Sequence, residues 1–495
     1  MPTPAILAID QGTTNTKALL ITLDGRLTAE GSVPTGVQYP RPGWAEQSGE
    51  AIRASTAAAI AAALDKADAI KAGDIQIAAI AISNQRETVL AWDAQTSAPV
   101  GPAVIWQCRR SSELCTALRD AGHEDLIHRT SGLGLDPLFS AGKLRWLLDN
   151  APGAQDLHRA GNLRMGTVDS WLLWNLTGGA VHATDTSNAS RTQLLALDGA
   201  AWSPELLALF GVPADVVPQV LPSDSRFGET CGGFAGLPDG IPIHAMMGDS
   251  HASMFGHGIS APGVVKVTLG TGSSLMCPTG TRHASTHGLS ETVAWATGNG
   301  GVVHALEGNI TVSGHAAAFA GEMLGLADPQ ALTDLAVSVD DSDGVVFLPA
   351  MAGLGAPHWD EKARGMICGL SLSSKPAHIA RAALEGIAQQ ICDVVAAFEA
   401  DLGTPLASIS VDGSAARSDF LVQLIADLSG RKVERPSQTE LSAIGAAMMA
   451  ANGLGRPIAP SIVSSDRTFT PALAEASRDA MRAQWRTAIA RAKLA

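Results

Sequence analysis

Short apolar runs closed by small polar turns alternate along this chain with longer stretches in which apolar residues recur every three or four positions. The first pattern suits strands and the second suits one-sided helices. Ile6-Leu7-Ala8-Ile9 opens the series and runs into Asp10-Gln11-Gly12-Thr13-Thr14, followed by Lys17 and a second run, Ala18-Leu19-Leu20-Ile21. Past the midpoint, Val264-Val265-Lys266-Val267-Thr268 runs into Leu269-Gly270-Thr271-Gly272-Ser273-Ser274 in the same way. Each is predicted to be a β-hairpin whose tight loop lacks bulky side chains, so that N–H groups and hydroxyls can close on an anion. Two such loops facing each other would grip a polyphosphate. Neither is a Walker loop, because Gly-x-x-x-x-Gly-Lys-Ser/Thr is absent.

The same grammar fills both halves. Strands are predicted at 76–82 and 88–92, with helices over 50–64, 111–121 and 141–149. Later come strands at 302–306 and 345–348 and a long helix near 376–400, with Pro376 suited to its first turn. A strand at 409–411 then enters the small-residue loop Asp412-Gly413-Ser414-Ala415-Ala416, which feeds a helix from Asp419. Gly256, Gly258, Pro262 and Gly263 cluster at a seam. The expected division is therefore two α/β domains, residues 1–255 with the first hairpin and residues 256–495 with the second. A hinge at the seam would let two lobes close over a ligand.

Composition narrows the partners. At 495 residues the chain exceeds one core, and aromatics make up only 4% with a single Tyr, so a base-stacking surface for single strands is not expected. A formal charge of −14 opposes binding to nucleic acid or anionic membrane. No apolar stretch reaches membrane-spanning length, and Met1-Pro2-Thr3-Pro4 lacks a basic segment, so a cytoplasmic protein without a signal peptide is expected. The expected assembly is a homo-oligomer, a dimer or a tetramer. Cys108, Cys115, Cys231, Cys277, Cys368 and Cys392 show no Cys-x-x-Cys or zinc spacing and read as reduced thiols. His251 and His257 read as hydrogen-bonded structural residues rather than ligands or bases.

Several polar residues read two ways. Asp10, ending a buried strand beside phosphate donors, can hold Mg²⁺ or simply cap its turn; Lys17 can add a positive charge. Asp249, after the apolar segment ending in Met246-Met247-Gly248, can take a proton from a hydroxyl or cap a helix. In Asn84-Gln85-Arg86-Glu87, Arg86 offers donors and Glu87 acceptors to neighbouring hydroxyls, or the two pair at the surface. Both reach one ligand only where the backbone turns, since adjacent side chains on a strand point apart. Trp106 can cover a carbon chain or fill the core.

At these residues the chain resembles the FGGY family of carbohydrate kinases, and within it the glycerol kinases. The resemblance rests on Asp10–Thr14, Gly43–Glu46, Asn84–Thr88, Ile105–Arg110, Gly166–Leu172, Thr184–Thr192, Gly353–Asp360 and Val411–Ala415, in family order. It implies two actin-like, RNase H-like α/β lobes with an active-site cleft between them, ATP with Mg²⁺, and transfer of the γ-phosphoryl group to a terminal hydroxyl. By position, Asp249 is similar to the family's general base; Arg86, Glu87 and Trp106 to its polyol contacts; and Asp10 to its metal-associated carboxylate. Thr13, Thr14, Lys17, Gly270, Thr271, Gly272, Gly314, Gly413 and Ser414 fall where the family meets the nucleotide. Asp185 and Arg191 lie in a motif whose polar residues can simply brace loops.

The departures concern the substrate. Leu138 stands where glycerol kinases carry a Tyr, Ser274 where they carry a Phe, and Ser250 where they carry a Gln; all three are expected in the substrate pocket. Ala318 and Ser418 replace a Gln and an Asn on the nucleotide side. Glycerol, giving sn-glycerol 3-phosphate, is the first expected acceptor, and a tetritol, a pentitol or a ketose of the xylulose or ribulose type is the alternative. From another class, the twin hairpins also suit actin-like or chaperone-like ATPases, which need no hydroxyl pocket.

Overall fold

The computed structural model describes residues 2–67, 73–459 and 464–493. Its contacts divide the chain into two compact units, Met1–Gly258 with Glu291–His304 and Glu440–Ile462, and Ile259–Ser290 with Ala305–Thr439 and Val463–Ala495.

The first unit is built on a six-stranded sheet in the order Gly228–Glu229, Pro242–Gly248, Ile75–Asn84, Thr3–Gln11, Asn15–Thr22, Leu27–Pro34. The hairpin expected at Asp10–Thr14 is present, with Gly12 N donating to Asn15 O at 2.9 Å. Thr3–Gln11 and Pro242–Gly248 both run parallel to Ile75–Asn84, pairing Gln11 and Gly248 with Asn84. Three parallel strands thus end side by side, the edge where α/β sheets place their ligands. A second sheet, ordered Glu46–Gln47, Ala103–Val104, Val89–Asp93, Leu163–Thr167, carries the chain to Trp106.

A single cut at 255/256 is simpler than the division observed. Residues 440–459 return to the first unit because the helix Leu441–Gly453 is rich in small residues. A methyl group on Gly445 would lie 1.8 Å from Ala252 O, and one on Gly256 would lie 2.3 Å from Leu441 O. Only paired glycines let this helix cross Asp249–Gly256 backbone to backbone.

In the second unit, Val264–Leu269 pairs antiparallel with Ser273–Gly280 and parallel with Ser408–Asp412, which continues to Lys432–Pro436 and Ser465–Phe469. Thr268 is level with Asp412, so again two parallel strands end together. The helix Pro376–Leu402 buries Ala383, Ile387, Ile391, Val394 and Phe398 against this sheet's core. Among the described residues no helix is long and apolar enough to cross a membrane.

Candidate functional site

The residues singled out by sequence gather at the strand ends of each unit. In the first unit, Ile75–Asn84 gives way to Gln85-Arg86-Glu87-Thr88. Glu87 has φ 61°, a left-handed conformation that breaks strand alternation and frees Arg86 and Glu87 from pointing apart. They do not need each other as partners. Arg86, only 7% exposed, donates from Nε to Asp249 Oδ1 at 3.1 Å. Glu87 Oε1 accepts from Arg191 Nε at 2.8 Å, both side chains being buried, and the Arg191 guanidinium lies 5.1 Å from the Phe139 ring centre.

Asp249 is the first residue of the helix Asp249–Gly256, and Gly248 occupies the cap. Its Oδ1 also accepts from Ser250 N at 2.7 Å, while its side chain stays 37% exposed. The carboxylate is therefore held through Oδ1 while keeping partial exposure to solvent. Gly248 makes room for this: a methyl group there would lie 2.6 Å from Arg86 Cγ. Gly248 N donates to Ser187 Oγ at 2.9 Å. Asp185 caps Ser187 and Asn188 and accepts from Ser223 Oγ, all without solvent. Asp185, through Ser187, and Arg191 thus brace Gly248 and Glu87 from behind.

Trp106 is half-buried, donating from Nε1 to Thr13 Oγ1 at 2.9 Å, so the indole is pinned to the first hairpin loop. Thr13 Oγ1 also reaches Gln85 Oε1 at 3.3 Å, and Gln85 Nε2 donates to Gln11 at 3.0 Å and Gln47 at 2.8 Å. Sequence reading did not single out this buried amide set. Its signal was Gln11 and Gln85, each just past a predicted strand; nothing local marked Gln47. Thr14 is exposed, and its carbonyl accepts from Thr35 N.

Asp10 keeps slight solvent contact yet is closely enclosed, and burial, the largest influence, pushes its pKa up to about 7. The Ser83 hydroxyl, donating to Oδ1 at 2.8 Å, and the Lys17 charge oppose that rise, while the negative charges of Asp249 and Glu440 add to it. Lys17 sits directly across the hairpin from Asp10, with its Nζ held by Glu440 at 2.6 Å. Among the described residues no group of three or more acidic, His or Cys side chains could hold a metal. A magnesium ion delivered on a triphosphate needs only one or two protein carboxylates. An enclosed carboxylate beside a second negative charge fits that requirement.

Leu138 is half-buried in the turn before the helix Ser140–Asn150. Its carbonyl accepts from Lys143 Nζ at 2.5 Å, and the same amine donates to Glu87 O at 3.0 Å. Lys143 is fully buried and was not singled out from sequence, although it falls on the apolar stripe shared by Leu144 and Leu147. Ser250 is buried beside Asp249. His251 Nε2 lies 3.0 Å from Thr292 Oγ1, a structural hydrogen bond.

In the second unit the loop Gly270-Thr271-Gly272 closes the expected hairpin, with Gly270 N donating to Gly272 O at 3.0 Å. The helix Gly314–Met323 starts against it: Gly314 N donates to Gly270 O at 2.9 Å, and His315 N to Thr271 O at 3.2 Å. Gly413, at φ 92°, brings the Gly413-Ser414 turn so close that a methyl group would lie 2.4 Å from Leu269 O. Loop, helix start and turn form one backbone-lined patch, suited to phosphate. Ala318 is exposed on that helix, and Ser418 Oγ is taken up in capping the helix Asp419–Ser429 through Leu421 N at 3.3 Å. Ser274 donates to Glu307 Oε1 at 2.9 Å and so belongs to the second unit.

Comparison with known proteins agrees with this arrangement. The N-terminal domain of the FGGY family of carbohydrate kinases matches residues 5–256, and the C-terminal domain matches residues 265–454. A glycerol kinase of Aromatoleum aromaticum is 43% identical over 494 residues, 99% of this chain and 98% of its own length. An apulose kinase of Pectobacterium atrosepticum is also 43% identical, over 100% of this chain and 99% of its own. Among solved structures, Plasmodium falciparum glycerol kinase with ADP superposes with a TM-score of 0.91 at 28% identity, covering 99% of this chain and 98% of that one. These matches exclude the filament and chaperone reading, and the chain belongs to the FGGY family of carbohydrate kinases.

Proposed function

We propose that this kinase transfers the γ-phosphoryl group of ATP to a terminal hydroxyl of a small polyol, with glycerol, giving sn-glycerol 3-phosphate, as the first candidate. The observation that carries this reading is the Asp249 carboxylate, oriented through Oδ1 by Arg86 and Ser250 N and still 37% exposed. As the acceptor oxygen bonds to phosphorus and the bond to the β-phosphate oxygen breaks, Asp249 takes the hydroxyl proton. In a loose transition state that proton leaves late, so a carboxylate suffices as the base. Arg86, the Glu87 turn and Trp106 orient the acceptor; the Gly270–Gly272 loop and the Gly314 and Ser414 backbone hold the nucleotide. Asp10 would hold Mg²⁺, which neutralises charge on the phosphates.

Leu138 supports a second reading, a larger acceptor such as a tetritol, pentitol or pentulose. A leucine offers no hydroxyl partner and leaves a pocket without one polar anchor, and the apulose kinase is as similar in sequence as the glycerol kinase. Measuring ADP release with glycerol, tetritols, pentitols and pentuloses separates the readings. The acceptor with the highest kcat/KM identifies the substrate, and equal ATP turnover with and without every acceptor would overturn both.

A further inference from the structure

Lys143 bonds to neither Asp249 nor Asp10, yet it joins two walls of the proposed acceptor site. The amine sits at zero exposure in the helix Ser140–Asn150 and donates to Glu87 O at 3.0 Å and to Leu138 O at 2.5 Å. Ser140 Oγ reaches the same Glu87 carbonyl at 3.2 Å. Glu87 is held at its other end by Arg191, so both its backbone and its carboxylate are anchored from behind. A buried ammonium is expensive to keep. Burial lowers the Lys143 pKa to about 8 against the opposing charges of Glu87, Cys108, Asp136 and Cys115. A hydrophobic residue on this stripe would pack without that penalty, so the amine contributes something packing does not.

We infer that Lys143 is a positioning residue for acceptor selectivity: by stapling the Glu87 turn to the Leu138 turn, it fixes the width of the acceptor pocket. The inference rests on the acceptor site proposed above. Left-handed Glu87 has no regular ladder to hold it, and the turn at Leu138 precedes its helix without a side-chain cap. Removing the staple lets the two turns separate, and a wider pocket favours longer acceptors.

The test is Lys143→Met in the full-length enzyme, measured with glycerol and with a four- or five-carbon polyol, alongside the KM for ATP. The expected result is an acceptor KM raised about tenfold, an ATP KM within twofold, and a ratio of kcat/KM between long and short acceptors moved at least threefold toward the longer one. An unchanged ratio, with activity lost only in proportion to folded protein, would overturn the inference. Should Lys143→Met fail to fold, Ser140→Ala removes the other donor on the same carbonyl. It is expected to move the ratio the same way by a smaller factor, and a ratio unmoved by it overturns the inference equally. Absence of acceptor-dependent turnover in the unmodified enzyme is a different outcome, which removes the proposed function itself.

Discussion

Arg86 Nε donates to Asp249 Oδ1 at 3.1 Å, joining residues 163 positions apart at the ends of two neighbouring parallel strands. The bond orients one carboxylate oxygen while the side chain stays 37% exposed, and the proposed role of the group is to accept the proton of an alcohol. Asp249→Asn keeps the shape and removes the proton acceptor, so kcat is expected to fall by roughly 10²- to 10⁴-fold while ATP still binds. Single-turnover kinetics together with nucleotide titration check this. Near-normal kcat would take Asp249 out of the role of base.

Asp10 has a pKa pushed up to about 7, chiefly by burial, and a cation bound beside it would favour its charged form. Asp10→Ala is expected to raise the Mg²⁺ concentration for half-maximal turnover by about tenfold or more. A magnesium titration of initial rates reads this directly, and an unchanged midpoint would dissociate Asp10 from the metal.

How much of this was legible in the sequence depended on whether the signal was local. Both hairpins, the strands at Ile75–Asn84 and Ser408–Asp412 and the helix Pro376–Leu402 followed from periodicity and punctuation, because short-range pattern fixes such elements. The helix Leu441–Gly453 has no polar face to give a 3.6 period, and its packing through Gly445 depends on a partner some 190 residues away. Arg86 and Glu87 stand out in the sequence as polar residues between two strands, but their partners, Asp249 and Arg191, are tertiary facts. Lys143 was passed over because its neighbours read as core, and only the fold shows the two carbonyls it bridges.

His182 gives a pH test away from the site. Its Nε2 meets Met165 O at 3.0 Å, its ring stands edge-on to Trp92 and Trp174, and its pKa is pushed down to about 4, first by burial. The unfolded chain takes up a proton below its ordinary 6.5, and the folded chain resists until about 4. Stability is therefore complete above 6.5 and declines as pH falls across that window, by about 1 to 3 kcal/mol from this residue. His182→Phe keeps the ring contacts, and its Tm is expected to fall less steeply between pH 6.5 and 4. Parallel Tm profiles for the two proteins would refute the assignment.

Leu138 tests the choice of acceptor. Tyrosine at this position adds a phenol to a half-buried turn, and one recovered hydrogen bond is worth about 0.5 to 1.5 kcal/mol. Leu138→Tyr is expected to lower the glycerol KM by roughly three- to tenfold, from an unmodified value above the low micromolar range. An unchanged glycerol KM would show that this side chain does not face the acceptor.

The patch proposed for the nucleotide depends on contact between two backbones with no side chain to yield. A methyl group at Gly314 would lie 2.5 Å from Gly270 O, the same atom that accepts from Gly314 N at 2.9 Å. Gly314→Ala must therefore displace the hairpin loop or the helix start. The ATP KM is expected to rise about tenfold with the acceptor KM within twofold, and stability to fall by about 1 to 3 kcal/mol. Gly321 lies on the same helix with nothing within 4 Å of an added methyl, so Gly321→Ala provides the control. It should leave the ATP KM unchanged and gain up to about 1 kcal/mol from better helix propensity. If both substitutions alter the ATP KM alike, general helix perturbation rather than the Gly270 contact governs nucleotide binding, and the patch loses its assignment.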